Sequence, residues 1–235
     1  MSAQIHHVKL DLRDRMENKT RICISGMIAV GKSTLARALA KDFDMELISE
    51  AKLGISYLER LFDDPARWSY EAQAAFLIGK ANAIRKIEKK HKSYVLDRSI
   101  CEDASIFFEY FKEVYQLDDL TCLNYQYLYD LIDDCTPKED ISIICTIDYE
   151  SVVNRIISRD KFNAYVEGYV NSVYDRYTKF IEEKRGNQNT YICDSNIFDW
   201  TDDKVCKLII DDVQRLIDRD ASNSDINLNV LRAHI

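Results

Sequence analysis

The sequence predicts an α/β fold: a five-stranded parallel sheet flanked by helices on both faces. Two observations predict it. Five short apolar runs read as strands, at residues 21–25 (RICIS), 45–49 (MELIS), 93–97 (SYVLD), 141–147 (ISIICTI) and 190–194 (TYICD). The segments between them place apolar residues at helical steps of three and four. Strands alternating with helices imply parallel crossover units rather than hairpins.

In chain order, residues 1–20 form a charged extension ahead of the first strand. That strand runs into a glycine-bearing turn and a helix-forming run, TLARALAKDF. After the second strand, residues 71–90 carry Ala75, Phe76, Gly79, Ala83 and Ile87 at helical spacing. The third strand stops abruptly in charge, VLDRSICED, where an apolar run gives way to Asp97, Arg98, Glu102 and Asp103. The strands of an open parallel sheet deliver their C-terminal ends to the ligand crevice, which is where such charge belongs. Two apolar-rich segments follow, 104–111 and 122–132, then the fourth strand. From Glu150 to about Lys184 the helical pattern repeats through Val152, Ile156, Val170, Val173 and Tyr177. The fifth strand follows, and a polar tail occupies 219–235, so the domain proper is 21–218.

Composition narrows the function. The 235 residues suffice for one large domain with a substantial core. No apolar run approaches the roughly 20 residues needed to cross a bilayer, and the N-terminus lacks the apolar centre of a secretory signal. A cytoplasmic protein without a membrane partner is expected. A net charge of -8 argues against a nucleic-acid partner. Seven cysteines without a C-x-x-C pair argue against a disulfide or zinc framework. Cys23, Cys145 and Cys193 lie in strands and are expected in the core.

The sharpest motif is Gly26-Met27-Ile28-Ala29-Val30-Gly31-Lys32-Ser33, followed by Thr34. It fits G-x-x-x-x-G-K-[ST] and lies between a strand and a helix, the context that makes such a match credible. The loop's backbone N–H groups and the helix N-terminus cradle phosphates. Lys32 is expected on the β- and γ-phosphates and Ser33 on Mg²⁺. The fold expectation therefore becomes a P-loop NTPase-type three-layer sandwich that takes ATP or another NTP. No Asn-Lys-x-Asp guanine motif is present, and five strands in 235 residues suit a compact kinase.

Further stretches fall into order downstream. Glu50 closes the second strand as LISE. Pro65-Ala66-Arg67-Trp68-Ser69, then Gln73 and Phe76-Leu77, follow the acids Asp63 and Asp64. Asp97-Arg98-Ser99 ends the third strand, with Asp103 and Phe107 beyond it, and Arg155-x-x-x-Arg159 lies on the helix after the fourth. The set resembles the deoxynucleoside kinase family, particularly its bacterial deoxyadenosine/deoxyguanosine kinase branch, over about residues 20–218.

The resemblance implies transfer of a phosphoryl group from ATP to the 5′-hydroxyl of a deoxynucleoside, with a purine leaning. It assigns Glu50 as the general base, a role suited to a carboxylate at a strand's C-terminal end. Gln73 would read the base edge and Phe107 would pack on the ring. Asp97 would organise Mg²⁺, directly or through water. Arg98 would hold Glu50 and the 5′ region of the acceptor. Arg155 and Arg159 would belong to a helical lid over the phosphoryl group, and a homodimer is implied.

Three departures bear on the nucleoside. Phe62 stands where the family has a tyrosine that bonds the 3′-hydroxyl. Lys80 replaces an arginine that pairs with the acid at Asp103, and a lysine lacks the two-pronged guanidinium geometry. The lid reads Arg159-Asp160-Lys161, with Lys161 standing in for a second arginine and Glu167 for the acid on the 3′-hydroxyl. These departures keep two other readings open. One is a specialised kinase acting on a modified nucleoside, a nucleotide or a DNA base. The other is a nucleotide-sensing or interaction protein with weak catalysis.

Overall fold

The structure is a computed structural model that describes residues 19–53, 55–159, 164–187, 189–198, 200 and 202–220. Its strands are β1 (Arg21–Gly26), β2 (Glu46–Ile48), β3 (Tyr94–Asp97), β4 (Ile141–Thr146) and β5 (Thr190–Asp194). They form one parallel sheet in the order β2-β3-β1-β4-β5, so the first strand lies at the centre. Ile24 of β1 pairs with Asp97 on one side and Ile143 on the other. This register puts the charged end of β3 beside the turn that leaves β1.

Helices α1 (Lys32–Asp42), α2 (Ile55–Asp63) and α3 (Pro65–Glu88) follow β1 and β2. Helix α4 has three parts: an α turn Ile100–Glu102, a π-helical stretch Asp103–Phe108 and an α segment Glu109–Tyr115. Then come α5 (Asp119–Cys135), α6 (Tyr149–Arg159), α7 (Ala164–Lys184) and α8 (Asp203–Asp220). None of the described helices is long and apolar enough to cross a membrane.

Alternation along the central strands builds two cores, because successive side chains in a strand face opposite ways. Ile22, Ile24 and Val95 pack with Leu35 and Leu39 of α1 and with Val173 of α7. Cys23, Tyr94 and Leu96 pack on the other face against Leu77 and Ile84 of α3 and Tyr125 of α5. Cys23, Cys145 and Cys193 are buried. The segment 104–111 turns most of its apolar side chains inward: Ile106, Phe107, Phe108, Tyr110 and Phe111 are all buried.

Helix α3 begins earlier than its apolar periodicity suggests. Pro65 occupies its first turn, where the missing N–H costs nothing, and the Asp64 carboxylate accepts from the Arg67 N–H at 3.2 Å. Such a cap is worth about 1 kcal/mol. The region 150–184 divides into α6 and α7, and residues 160–163 between them lie outside the described residues, Lys161 included.

Candidate active site

The phosphate loop is built by backbone geometry that only certain residues allow. Gly26 has φ +138°, and a Cβ there would lie 2.3 Å from the Cys145 carbonyl oxygen of the neighbouring strand. Gly31 has φ +103°, and its Cβ would lie 2.3 Å from Cδ1 of Trp200. The Trp200 indole N–H donates to the Val30 carbonyl at 3.2 Å and reaches Ser195 Oγ at 3.1 Å, so this ring backs the loop from beneath. Gly31→Ala therefore meets both backbone strain and a buried ring. We expect loss of ATP binding by calorimetry in a protein that still folds.

Within the loop Met27 and Val30 are buried, whereas Ile28 and Ala29 are half-buried. Lys32 folds back to donate to the carbonyls of Gly26 at 2.8 Å and Met27 at 2.9 Å. Burial, together with the nearby Arg98 charge, lowers its pKa to about 8. Thr34 sits in the first turn of α1 and donates its N–H to the Gly31 carbonyl at 3.0 Å.

Ser33 donates its hydroxyl to Asp97 Oδ2 at 2.6 Å. The other oxygen, Asp97 Oδ1, is buried without a hydrogen-bond partner. A hydroxyl and a half-satisfied carboxylate beside a phosphate loop fit Mg²⁺, which takes few protein ligands and keeps the rest for water and phosphate. Among the described residues no group of three or more His, Cys, Asp or Glu could cage a metal without such outside ligands.

Glu50 stands in the 3₁₀ turn Glu50–Lys52 directly after β2. Arg98 Nε lies 2.7 Å from Glu50 Oε1, an ion-pair contact whose angle falls short of a hydrogen bond. Burial pushes the Glu50 carboxyl upward, but Arg98, Lys80 and Lys32 outweigh it and hold the pKa below the usual value. Glu50 is thus an anion at neutral pH, as a proton acceptor must be. Arg98 has φ +79° and donates its N–H to the Ile24 carbonyl at 2.9 Å. A non-glycine residue there costs of order 1–3 kcal/mol and persists only where the surroundings over-determine it.

The nucleoside candidates divide in their placement. Gln73 is 4% exposed on α3, and no hydrogen bond among the described residues engages its amide. Phe107 is buried, and the Arg98 guanidinium lies 4.3 Å from its ring centroid. The π-helical stretch gives α4 one extra residue per turn there, a distortion that often marks functional sites. Phe62, by contrast, is 68% exposed at the end of α2.

Lys80 and Asp103 do pair, despite the missing guanidinium. The Lys80 ammonium bridges both Asp103 oxygens, at 2.7 and 2.6 Å, and donates to the Ser99 carbonyl at 3.3 Å. Both residues are almost wholly buried. Burial raises the Asp103 pKa to about 6 against the pull of Lys80.

Of the described lid candidates, Arg155 reaches the phosphate loop and Arg159 and Glu167 are exposed. Arg155 donates to the carbonyls of Val30 at 3.1 Å and Ser195 at 2.8 Å, with a longer contact to Ala29 at 3.4 Å. Its guanidinium thus clamps the phosphate loop to the turn after β5. Arg159 ends α6 exposed to solvent, and Glu167 is exposed in the first turn of α7.

Sequence reasoning missed Glu102, Tyr177 and Trp200. Glu102 had a signal: Ser99-x-x-Glu102 is a capping box, and both of its reciprocal bonds are present. Trp200 and Tyr177 carried no local signal beyond an aromatic ring.

The family model described as deoxynucleoside kinase matches residues 22–235. A deoxyadenosine/deoxycytidine kinase from Bacillus subtilis is 30% identical over 142 residues, covering 60% of this chain and 65% of that protein. A deoxyadenosine kinase from Dictyostelium discoideum is 28% identical over 166 residues, covering 70% of this chain and 67% of its own. Among solved structures, deoxyadenosine kinase from M. mycoides with bound dATP aligns with a TM-score of 0.68 at 20% identity, over 83% of this chain and 100% of that one. At that identity the alignment shows the shared fold alone.

Proposed function

The chain belongs to the deoxynucleoside kinase family, and we propose that it phosphorylates the 5′-hydroxyl of a deoxynucleoside, with ATP or another NTP as donor. The observation that carries this reading is Glu50, an ionised carboxylate held by Arg98 at the end of the strand array that bears the phosphate loop. The loop amides and Lys32 bind and orient the phosphates. Glu50 accepts the proton of the 5′-hydroxyl as that oxygen attacks the γ-phosphorus, the bond from the γ-phosphorus to the β–γ bridging oxygen breaks, and the nucleoside diphosphate leaves. Arg98 fixes Glu50 and offers positive charge near the attacking oxygen. Ser33 and Asp97 would hold Mg²⁺, directly or through water, and the ion would supply neutralisation of phosphate charge. Arg159, with Lys161 and Glu167, is our proposal for the lid, and a lid closing on substrate would have to bring the exposed Arg159 and Glu167 inward. Arg155 contributes by keeping the loop in shape.

For the base we propose Gln73 as reader, since its amide offers a donor and an acceptor together. Phe107 supplies an aromatic wall. A purine preference fits the deoxyadenosine and deoxyguanosine kinases among the relatives, whose names also include deoxycytidine as a substrate. Lys80 and Asp103 shape this end of the site but use their polar atoms on each other. Phe62 offers a ring without a hydroxyl, so little discrimination at the 3′ position is expected. Gln73→Leu should raise the nucleoside KM by at least about tenfold, the loss of one or two hydrogen bonds, and leave the ATP KM unchanged.

The direct test is incubation with ATP, Mg²⁺ and each common nucleoside and deoxynucleoside, reading monophosphates by chromatography. Turnover of deoxyadenosine or deoxyguanosine above the rest is expected. No turnover on any of them would remove this reading, and turnover only on a modified nucleoside or DNA would replace it.

We further propose a homodimer. Leu120, Leu123, Tyr127 and Leu131 lie at successive turns of α5 and all face solvent. An apolar stripe of that regularity on a charged surface suits a second copy of the chain. Light scattering should report a dimer, and Leu123→Glu with Leu131→Glu should yield a monomer.

A further inference from the structure

A chain of buried hydrogen bonds, closed by the Arg98–Glu50 ion pair, links the phosphate loop to Glu50 through two residues so far without a role. Glu102 is 0% exposed and Tyr177, on α7, is 1% exposed. Glu102 Oε1 accepts from the Gly26 backbone N–H at 3.0 Å and from the Tyr177 hydroxyl at 2.8 Å. Its other oxygen accepts from the Ser99 N–H at 2.7 Å and the Ser99 hydroxyl at 2.9 Å. The Tyr177 oxygen in turn accepts from Arg98 Nη1 at 2.9 Å. Arg98 then meets Glu50 at 2.7 Å.

Every polar atom of Glu102 and Tyr177 is used, in an order that allows one arrangement of donors. Arg98 can only donate, so the Tyr177 hydroxyl must point its proton at Glu102, which must be ionised to accept four bonds. A network satisfied in this way fixes geometry sharply. It also joins three elements: the first glycine of the phosphate loop, the start of α4 and the lid-side helix α7.

We propose that Glu102 and Tyr177 are positioning residues, which set the Arg98 guanidinium, and through it Glu50, in register with Gly26 of the phosphate loop. The idea rests on the kinase reading for its consequence, but the geometry it asserts is separate from turnover. Neither residue touches substrate; each acts through Arg98. The groups that face Glu50 are Arg98, Lys80 and Lys32, with Asp103 beyond them. Of the cations, Arg98 is the one whose orientation Tyr177 controls.

The test is Tyr177→Phe, which keeps the ring in the core and deletes one oxygen. Misplacing a catalytic group by about 1 Å can cost a hundredfold in rate. We expect kcat to fall between about tenfold and a hundredfold while the ATP KM is unchanged. A second readout needs no substrate: ¹³C-NMR titration of the Glu50 carboxyl should move upward in the variant, because Arg98 no longer sits squarely against it. If the wild type phosphorylates no nucleoside, the kinase reading fails, and the Glu50 titration still decides the positioning role. Unchanged Glu50 titration would overturn the proposal, as would unchanged kcat in an active enzyme, whatever the melting temperature does. Should Tyr177→Phe fail to fold, Glu102→Gln probes the same chain, since an amide nitrogen cannot accept from Ser99. A lower kcat at constant ATP KM supports the chain, and an unchanged kcat overturns it.

Discussion

Glu50→Gln is expected to lower kcat by about two to four orders of magnitude, the usual worth of a positioned proton acceptor. The ATP KM should not move, because no hydrogen bond among the described residues joins Glu50 to the loop amides or to Lys32, our proposed phosphate ligands. The substitution is nearly isosteric, so the variant should fold. It removes the anion against Arg98, yet Arg98 keeps Tyr177 as an acceptor at 2.9 Å and its stacking on Phe107 at 4.3 Å. That distinguishes a lost proton acceptor from a collapsed site. Steady-state kinetics with both substrates checks it. The pH profile adds a sign. The Glu50 pKa is lowered, so the wild type should keep its base ionised below pH 4.5, the ordinary value for the group. An acid limb appearing nearer neutrality belongs to another group, for which Asp103, at about 6, is the candidate. Equal kcat in wild type and Glu50→Gln would remove Glu50 as the base.

The fold was legible because its signals are local. Each apolar run became a strand within a residue or two, from 21–25 as Arg21–Gly26 to 190–194 as Thr190–Asp194. Short buried strands bounded by turns and polar residues leave little freedom in where they stop. The phosphate loop was legible for the same reason, since glycines at Gly26 and Gly31 report positive φ directly. What sequence could not show is where long side chains turn once helices dock. Arg155 reads, through the family resemblance, as an arginine of the lid, and no residue near it in the sequence announces that its guanidinium meets the carbonyls of Val30 and Ser195. Tyr177 reads as one more apolar position in step with Val173, and its hydroxyl gains meaning only when α7 packs over Glu102, 75 residues earlier. Trp200 is similar: nothing near it in the sequence announces that its ring fills the space under Gly31. The resemblance to kinases named Glu50, Asp97 and Arg98, but the groups that hold them came from packing.

Asp103→Ala should be the most destabilising single change in the proposed nucleoside site, by about 3–5 kcal/mol, because it leaves the buried Lys80 ammonium without its counter-ion. Lys80 is 0% exposed, and with Asp103 gone only the Ser99 carbonyl at 3.3 Å remains to it. Urea denaturation measures the loss. Replacing both members, Lys80→Met with Asp103→Leu, should return much of the stability, since a packed apolar pair avoids desolvating two charges. The reverse deletion, Lys80→Met alone, should depend on pH. Asp103 already has a pKa raised from 3.8 to about 6 by burial, even with Lys80 pulling it down. A raised carboxyl pKa means the folded state holds its proton more tightly than the unfolded chain. Stability from this group is therefore complete below 3.8 and falls as pH rises through the folded value. Removing Lys80 raises that value further, so the window of loss widens upward. Lys80→Met should be close to wild-type stability near pH 5 and clearly weaker at pH 8. A Lys80→Met variant with the pH dependence of the wild type would mean that the pair is not ionic in the folded protein. A loss that grows as pH rises would mean that Asp103 keeps its charge there only beside Lys80.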